Sequence, residues 1–296
     1  MNLISAIRTW GEMIRFSHSV FALPFALVAT FLAGRHRDTG LPTLGQFLLI
    51  IACMIFARSF AMTFNRIADA RLDARNPRTE DRPIPAGKIT GRQAWFFLGV
   101  TAAGFALGCA GFWWGYGNAW PLILAIPTLL FLAGYSYTKR FTMLAHFALG
   151  AAIAFSPAAA WIAIHPASIG LSTLLLTAAV LLWITGFDII YACQDVDVDR
   201  REKLHSLPAR IGIGLALLIS RICHVFTVGA LVGLGFSAGF GWIYWAAVAL
   251  TAVLLAAEQS VVSPRDLSRV NLAFFTLNGC VSVALGAAAI ADLLIL

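Results

Sequence analysis

Apolar residues run along this chain in nine long blocks, at about 16–34, 44–64, 93–113, 119–137, 142–164, 171–192, 212–236, 241–260 and 270–295. Each is near the roughly 20 residues that an α-helix needs to cross the hydrocarbon of a bilayer. The pattern therefore predicts an all-α membrane protein with nine transmembrane helices. Pro24, Pro127 and Pro157 fall inside blocks and are expected to kink their helices, with neighbouring helices satisfying the freed carbonyls. The blocks are evenly spread, so one membrane domain over residues 1–296 is expected. The longest polar-rich stretches are 65–92 and 193–211.

Composition sharpens this picture. Of the 296 residues, 60% are hydrophobic and 12% charged, and the mean hydropathy is +0.83. Soluble domains hold about half apolar and about a quarter charged residues, so the chain uses the bilayer as its solvent. The first apolar block lacks a signal-peptide layout and is expected to stay as a span. Cys53, Cys109, Cys193, Cys223 and Cys280 are scattered without metal-finger spacing, which argues against a disulfide framework.

The net charge of +7 changes the reading only through its placement. With the N-terminus inside, the tail and the segments 65–92, 138–141, 193–211 and 261–269 hold 17 of the 21 Lys and Arg residues. The positive-inside rule then puts these segments in the cytoplasm of a bacterial-type inner membrane. No aromatic-basic pattern for nucleic acid appears. Both acidic motifs described next fall on this cytoplasmic side.

The first motif reads NRIADARLD and the second QDVDVD. Asn65, Asp69 and Asp73 are four apart, and so are Asp195 and Asp199. On a continuous helix such residues share a face. Magnesium commonly takes one or two carboxylates and completes its shell with water and substrate phosphate. Charged residues at helix ends are ordinarily solvated anchors, but two such pairs, each followed by a basic loop, form a pattern that anchoring does not require. The loop after the first motif offers Arg75, Arg78, Arg82 and Lys88 to phosphate oxygens, on a turn shaped by Pro83, Pro85 and Gly87. Both motifs precede Pro-containing basic loops, a crude internal echo that fits two motifs facing one cavity.

Arg58 lies inside a span, and an intramembrane charge marks a functional site by default. It shares a helical face with Asn65 and Asp69. Arg15 and His18 serve equally as anchors or as substrate contacts. His146 is either a satisfied interior histidine or a contact for an aromatic acid. Asp188 either shares the cavity or makes a structural hydrogen bond. Asp197 lies off the Asp195/Asp199 face.

The string N-x-x-x-D-x-x-x-D, followed by R-T-x-x-R-P-I-x-x-G, resembles the signature of the UbiA superfamily of intramembrane prenyltransferases. YACQDVDVDRREKLHSLPARIG resembles its partner motif. IRFSHSVFALPFAL and YSYTKR are similar to the 4-hydroxybenzoate branch. The resemblance implies nine helices around a central cavity, with caps at about 65–92 and 193–211. It implies that Asn65, Asp69, Asp73, Asp195 and Asp199 bind Mg2+. By the same resemblance Arg58, Tyr135, Lys139 and Arg140 match family positions, Lys139 counting with the four aspartates as catalytic. Arg66, Arg78, Arg82 and His146 join the substrate-binding set. Many members carry an acidic residue where this chain has Arg66, which removes a third carboxylate from the first motif.

The reaction implied is Mg2+-dependent transfer of a polyprenyl group from its diphosphate to an aromatic acid in quinone biosynthesis. Two acceptors fit, 4-hydroxybenzoate for ubiquinone and 1,4-dihydroxy-6-naphthoate for menaquinone. The second motif is similar to the menaquinone subgroup. The alternative from a different class is a transporter of an anionic substrate, which also needs charges in a cavity but has no need of two acidic pairs. A non-catalytic membrane scaffold is a third reading. Nothing in the sequence sets the prenyl chain length or the oligomeric state.

Overall fold

A computed structural model describes residues 3–14 and 21–296, with side chains from residue 9 onward in the first of these ranges. It contains α1 (Leu3–Ile14), α2 (Leu23–Gly34), α3 (Leu44–Asp73), α4 (Gly91–Tyr116), α5 (Trp120–Thr138), α6 (Ala145–Ile164) and α7 (Leu171–Ala192). Then come α8 (Val196–Arg201), α9 (Leu207–Ile211), α10 (Ile213–Ala238), α11 (Trp242–Ser260), a π-helix (Leu272–Leu277) and α12 (Asn278–Ile295). Eight helical runs among the described residues are long and apolar enough to span a bilayer. They correspond to eight of the nine predicted blocks. The remaining block is represented by α2, an apolar helix of 12 residues. Residues 16–20 of its predicted span, with Arg15 and His18, lie outside the described residues.

Two expectations are corrected. Pro24 sits in the first turn of α2, where its missing N–H has no intrahelical partner to lose, so it starts a helix and does not interrupt one. Pro127 and Pro157 do lie within helices. The cap predicted from residue 65 starts later: α3 runs for 30 residues from Leu44 to Asp73, so the first motif lies on the continuous helix that its spacing assumes. At 1.5 Å per residue the helix is about 45 Å long, well beyond the roughly 30 Å of hydrocarbon. The surplus length carries the first acidic motif.

The described chain divides into two compact units. One comprises α1, α3 from Leu48 onward, α4 and α5 as far as Tyr137. In it Phe105, Cys109 and Ala125 are buried, with Cys53, Phe56 and Leu129 packed on them. Trp10 and Met13 of α1 join a small cluster with Ile84, Ile89 and Ala94, which seats the loop after the first motif. The Thr90 side chain accepts from the Gln93 N–H while the Gln93 side chain accepts from the Thr90 N–H, so a reciprocal cap starts α4.

The other unit comprises α2, the start of α3 and everything from Thr138. Small residues let its helices approach closely, the usual means of helix association in lipid. A Cβ at Gly150 of α6 would stand 2.6 Å from the Leu181 carbonyl oxygen of α7, and one at Gly286 of α12 would stand 2.5 Å from Pro24 Cβ. Asp292 of α12 accepts from the N–H groups of Gly241, Ile243 and Tyr244. These are donors that the N-terminus of α11 cannot satisfy from within its own helix.

Candidate active site

The first acidic motif occupies one face of the last turns of α3. Asp69 and Asp73 are 2% and 5% exposed, deep burial for two carboxylates. Asn65 Nδ2 donates to Asp69 Oδ2 at 3.2 Å. Arg82 Nη1 donates to Asp73 Oδ1 at 2.6 Å, and Arg66 Nη1 stands 3.9 Å from Asp73 Oδ2. That second oxygen is buried with no hydrogen-bond donor. Arg66, the departure from the family pattern, thus faces the motif and brings a positive charge to it.

The loop returns to the helix end because of its own turn chemistry. Asn76 Oδ1 accepts from the Arg78 N–H at 2.9 Å. Thr79 Oγ1 donates to the Asp73 carbonyl at 3.0 Å. The Gly87 N–H reaches the Ile84 carbonyl, and Gly87 takes φ +70°, a conformation that favours glycine. This fold places Arg82 on Asp73, whereas Arg75, Arg78 and Lys88 are exposed.

Arg58 is half-buried on α3. Tyr135 on α5 lies within the electrostatic reach of Arg58, Arg66 and Asp69. These residues, with Asn65, Asp73 and Arg82, are gathered in one unit. Hydrogen bonds to charged groups contribute about 1.5–3 kcal/mol, so Arg58→Ala is expected to lower kcat/KM by about 10- to 100-fold. Arg37→Ala, which loses a bond from Nη1 to Gln46 Oε1, should stay within about two-fold of wild type. Steady-state rates on matched membrane preparations compare them, and equal, negligible effects would remove Arg58 from the site.

The second motif is built differently. It does not lie on one continuous α-helix, as its spacing alone suggests. α7 ends at Ala192, a 3-10 turn covers Cys193–Asp195, and α8 begins at Val196. Asp195 adopts φ −104°, ψ 7° at this junction. Asp195 and Asp199 are half-buried and Asp197 is exposed. Asp199 lies within the electrostatic reach of Asp195, Lys139 and His146. The His205 N–H donates to the Lys139 carbonyl at 2.7 Å, which ties the Lys139 segment to the loop beyond the motif. Arg140 is exposed.

His146 and Asp188 turn out to be partners. Nδ1 of His146 is 2.6 Å from Asp188 Oδ2, and Nε2 accepts from the Leu207 N–H at 3.2 Å. Since Nε2 accepts, Nδ1 carries the proton and donates to the carboxylate. Both ring nitrogens are engaged by protein, which favours the interior reading of His146. Sequence reasoning weighed the two residues separately and had no signal for a pairing 42 residues apart.

Among the described residues no three His, Cys, Asp or Glu side chains form a ready-made metal cage. Each motif instead offers a carboxylate pair, the smaller protein share that magnesium usually takes. The donors are hard oxygens, and the buried Asp73 Oδ2 without a hydrogen-bond donor suits a cation. The donor set of the first motif fits magnesium.

The sequence profile of the UbiA prenyltransferase family matches residues 22–279. The chain belongs to the UbiA prenyltransferase family. It is therefore an integral membrane enzyme that transfers prenyl groups. The 4-hydroxybenzoate octaprenyltransferase of Xanthomonas euvesicatoria pv. vesicatoria is 32% identical over 228 residues, covering 77% of this chain and 73% of its own. The enzyme of that name from Citrobacter koseri is 28% identical over 240 residues, or 81% and 80% of the two chains. An apo structure of a UbiA homolog from Aeropyrum pernix K1 superposes with a TM-score of 0.82 at 32% identity, over 93% of this chain and 98% of that one. A UbiA homolog from Archaeoglobus fulgidus bound to DMAPP and Mg2+ shares the fold, with a TM-score of 0.71 at 18% identity over 97% and 100% of the chains. Family membership removes the transporter and scaffold readings.

Proposed function

We propose that this UbiA enzyme transfers a polyprenyl group from prenyl diphosphate to the ring carbon of an aromatic acid. The observation that carries this reading is the Asn65, Asp69 and Asp73 face, its two carboxylates buried, with Arg66 and Arg82 against Asp73. It joins carboxylates suited to a divalent cation with guanidinium groups suited to phosphate oxygens. Asn65, Asp69, Asp73, Asp195 and Asp199 would hold magnesium, which when bound supplies Lewis-acid neutralisation of the departing diphosphate.

The protein's own part is to orient and to shield. Arg82 and Arg66 neutralise diphosphate oxygens, and Lys139 adds a cation beside Asp199. Departure of diphosphate leaves an allylic cation, which ring faces stabilise and which exclusion of water protects from capture. The acceptor phenol attacks through the carbon next to its hydroxyl and loses a ring proton. Arg58 is the cation assigned to the acceptor carboxylate. His146 acts as a positioning residue through Asp188 and Leu207. The chain is one transmembrane enzyme, with 74–90 and 193–211 as caps. The bias of Lys and Arg toward one set of segments supports a cytoplasmic site in an inner membrane.

Both 4-hydroxybenzoate and 1,4-dihydroxy-6-naphthoate carry the carboxylate that Arg58 would meet. The curated relatives favour 4-hydroxybenzoate, and the second motif resembles the menaquinone subgroup. Mass spectrometry of products from an acceptor panel decides. A prenylated adduct of one acid, formed with donor and Mg2+, is the expected result. Consumption of neither acid, with the donor intact, would reject the reading.

A further inference from the structure

A second polar centre lies within the membrane-spanning part of the unit that holds α7, α10, α11 and α12, outside both acidic motifs. Glu258 and Asn278 are wholly inaccessible to solvent, and His224 is 3% exposed. Asn278 is the hub. Its Nδ2 donates to Glu258 Oε1 at 2.8 Å and to the Ala273 carbonyl at 2.9 Å. Its Oδ1 accepts from Trp183 Nε1 at 2.6 Å. One amide thereby joins α11, α12 and α7, the helix that leads into the second motif. Around it Gln259 Nε2 donates to Ser220 Oγ at 2.8 Å and to His224 Nδ1 at 3.0 Å.

A leucine at position 258 would be cheaper to bury. Replacing a buried ionic or polar group by a packed apolar one is often neutral or stabilising, and an acidic residue inside a span marks function by default. Glu258 Oε2 has no hydrogen-bond partner, and His224 Nδ1, 3.9 Å away, accepts from Gln259 and so brings it no proton. The carboxyl therefore contributes mainly what its other oxygen does, which is to hold Asn278.

Asn278 in turn fixes an irregular element. Ala273 lies in the π-helix Leu272–Leu277, a widened turn of the kind found at functional sites. The next residue, Phe274, packs its ring 4.2 Å from that of Tyr191 and 5.1 Å from that of Phe187. Tyr191 stands four residues before Asp195, on the last turn of α7 ahead of the 3-10 turn that sets the second motif.

We propose that Glu258 and Asn278 are positioning residues for the second acidic motif. They hold the π-turn in register, the π-turn presents Phe274 to Tyr191, and Tyr191 fixes the helix junction that aims Asp195 and Asp199. The inference rests on the reading that this motif binds the magnesium diphosphate.

The test compares Asn278→Ala, Glu258→Ala and Glu258→Gln with wild type in lipid nanodiscs. The amide oxygen that E258Q introduces can still accept from Asn278, so this variant is the conservative rescue. Asn278→Ala and Glu258→Ala should raise KM for prenyl diphosphate, and the Mg2+ concentration for half-maximal rate, by about 10-fold or more, the scale of lost support to metal ligands. E258Q should stay within about three-fold, and KM for the aromatic acid should move less than two-fold in all three. If Asn278→Ala does not fold, the Glu258 pair decides alone. Unchanged donor KM in the folded variants overturns the proposal. So does an equal rise of donor and acceptor KM that tracks lowered melting temperature, which marks a post for packing only. Wild type that shows no Mg2+-dependent binding of prenyl diphosphate would instead overturn the underlying assignment of the motif.

Discussion

Asp69→Asn and Asp199→Asn should each lower kcat/KM by about 100- to 1,000-fold or more, the scale of losing one group that stabilises transition-state charge, while folded protein stays in the membrane. The fold survives because the substitution is isosteric. An asparagine at 69 still offers an oxygen to Asn65 Nδ2, which donates there now. At 199 the backbone carbonyl that accepts from the Leu204 N–H at 2.8 Å is untouched. Chemistry suffers because an amide brings no charge to a divalent ion. At the first motif the deficit is larger still, since Arg66 and Arg82 already crowd Asp73 with positive charge. Initial rates in nanodiscs, paired with melting curves, separate the two effects. Near-normal rates in both variants would remove the metal assignment.

Gly150→Ala should damage the fold far more than one added methyl does at an open helical position. The new Cβ would press on Thr185 Oγ1 and lie 2.6 Å from the Leu181 carbonyl oxygen of α7. Thr185 cannot simply turn away, because its hydroxyl donates to that same carbonyl at 2.7 Å. α6 must move off α7, and the His146–Asp188 bond joins this same helix pair. Overpacking of this kind costs about 1–3 kcal/mol or more, which lowers the melting temperature by roughly 2–5 °C or more in a chain of this size. Gly134→Ala on α5, where a Cβ meets nothing within 4 Å, is the control and should melt as wild type. Equal melting of the two variants would contradict the close approach of α6 and α7.

The helices were legible because each is a continuous apolar run, and lipid demands such runs whatever packs beside them. What sequence missed lay at their ends. The apolar run stops near position 64, which put the start of the cap too early, but α3 continues because its excess length clears the hydrocarbon and polar side chains there meet water or the loop 74–90. The second motif shares the first's spacing, yet its 3-10 turn at Cys193–Asp195 has no glycine or proline to announce it.

The candidate site was legible wherever its partners are close in sequence. Asn65, Asp69 and Asp73 fall on one face by spacing, and the basic loop that supplies Arg82 follows directly. Which arginine meets Asp73 was not legible, since four cations in that loop fit the pattern equally. Pairings across helices were hidden altogether. His146 finds Asp188, and Trp183 finds Asn278 from 95 residues away. Glu258 gave one overlooked signal, an acidic residue near the end of an apolar block.

The central claim is that this protein transfers a prenyl group by way of Mg2+-assisted loss of diphosphate. The most direct measurement follows labelled prenyl diphosphate in nanodiscs containing the purified protein, an aromatic acid, and either Mg2+ or a chelator. The account predicts that diphosphate is released and prenylated acid formed in equal amounts with Mg2+, and that both cease with the chelator. Undiminished turnover without divalent metal, or an intact donor with every acceptor tried, would contradict it.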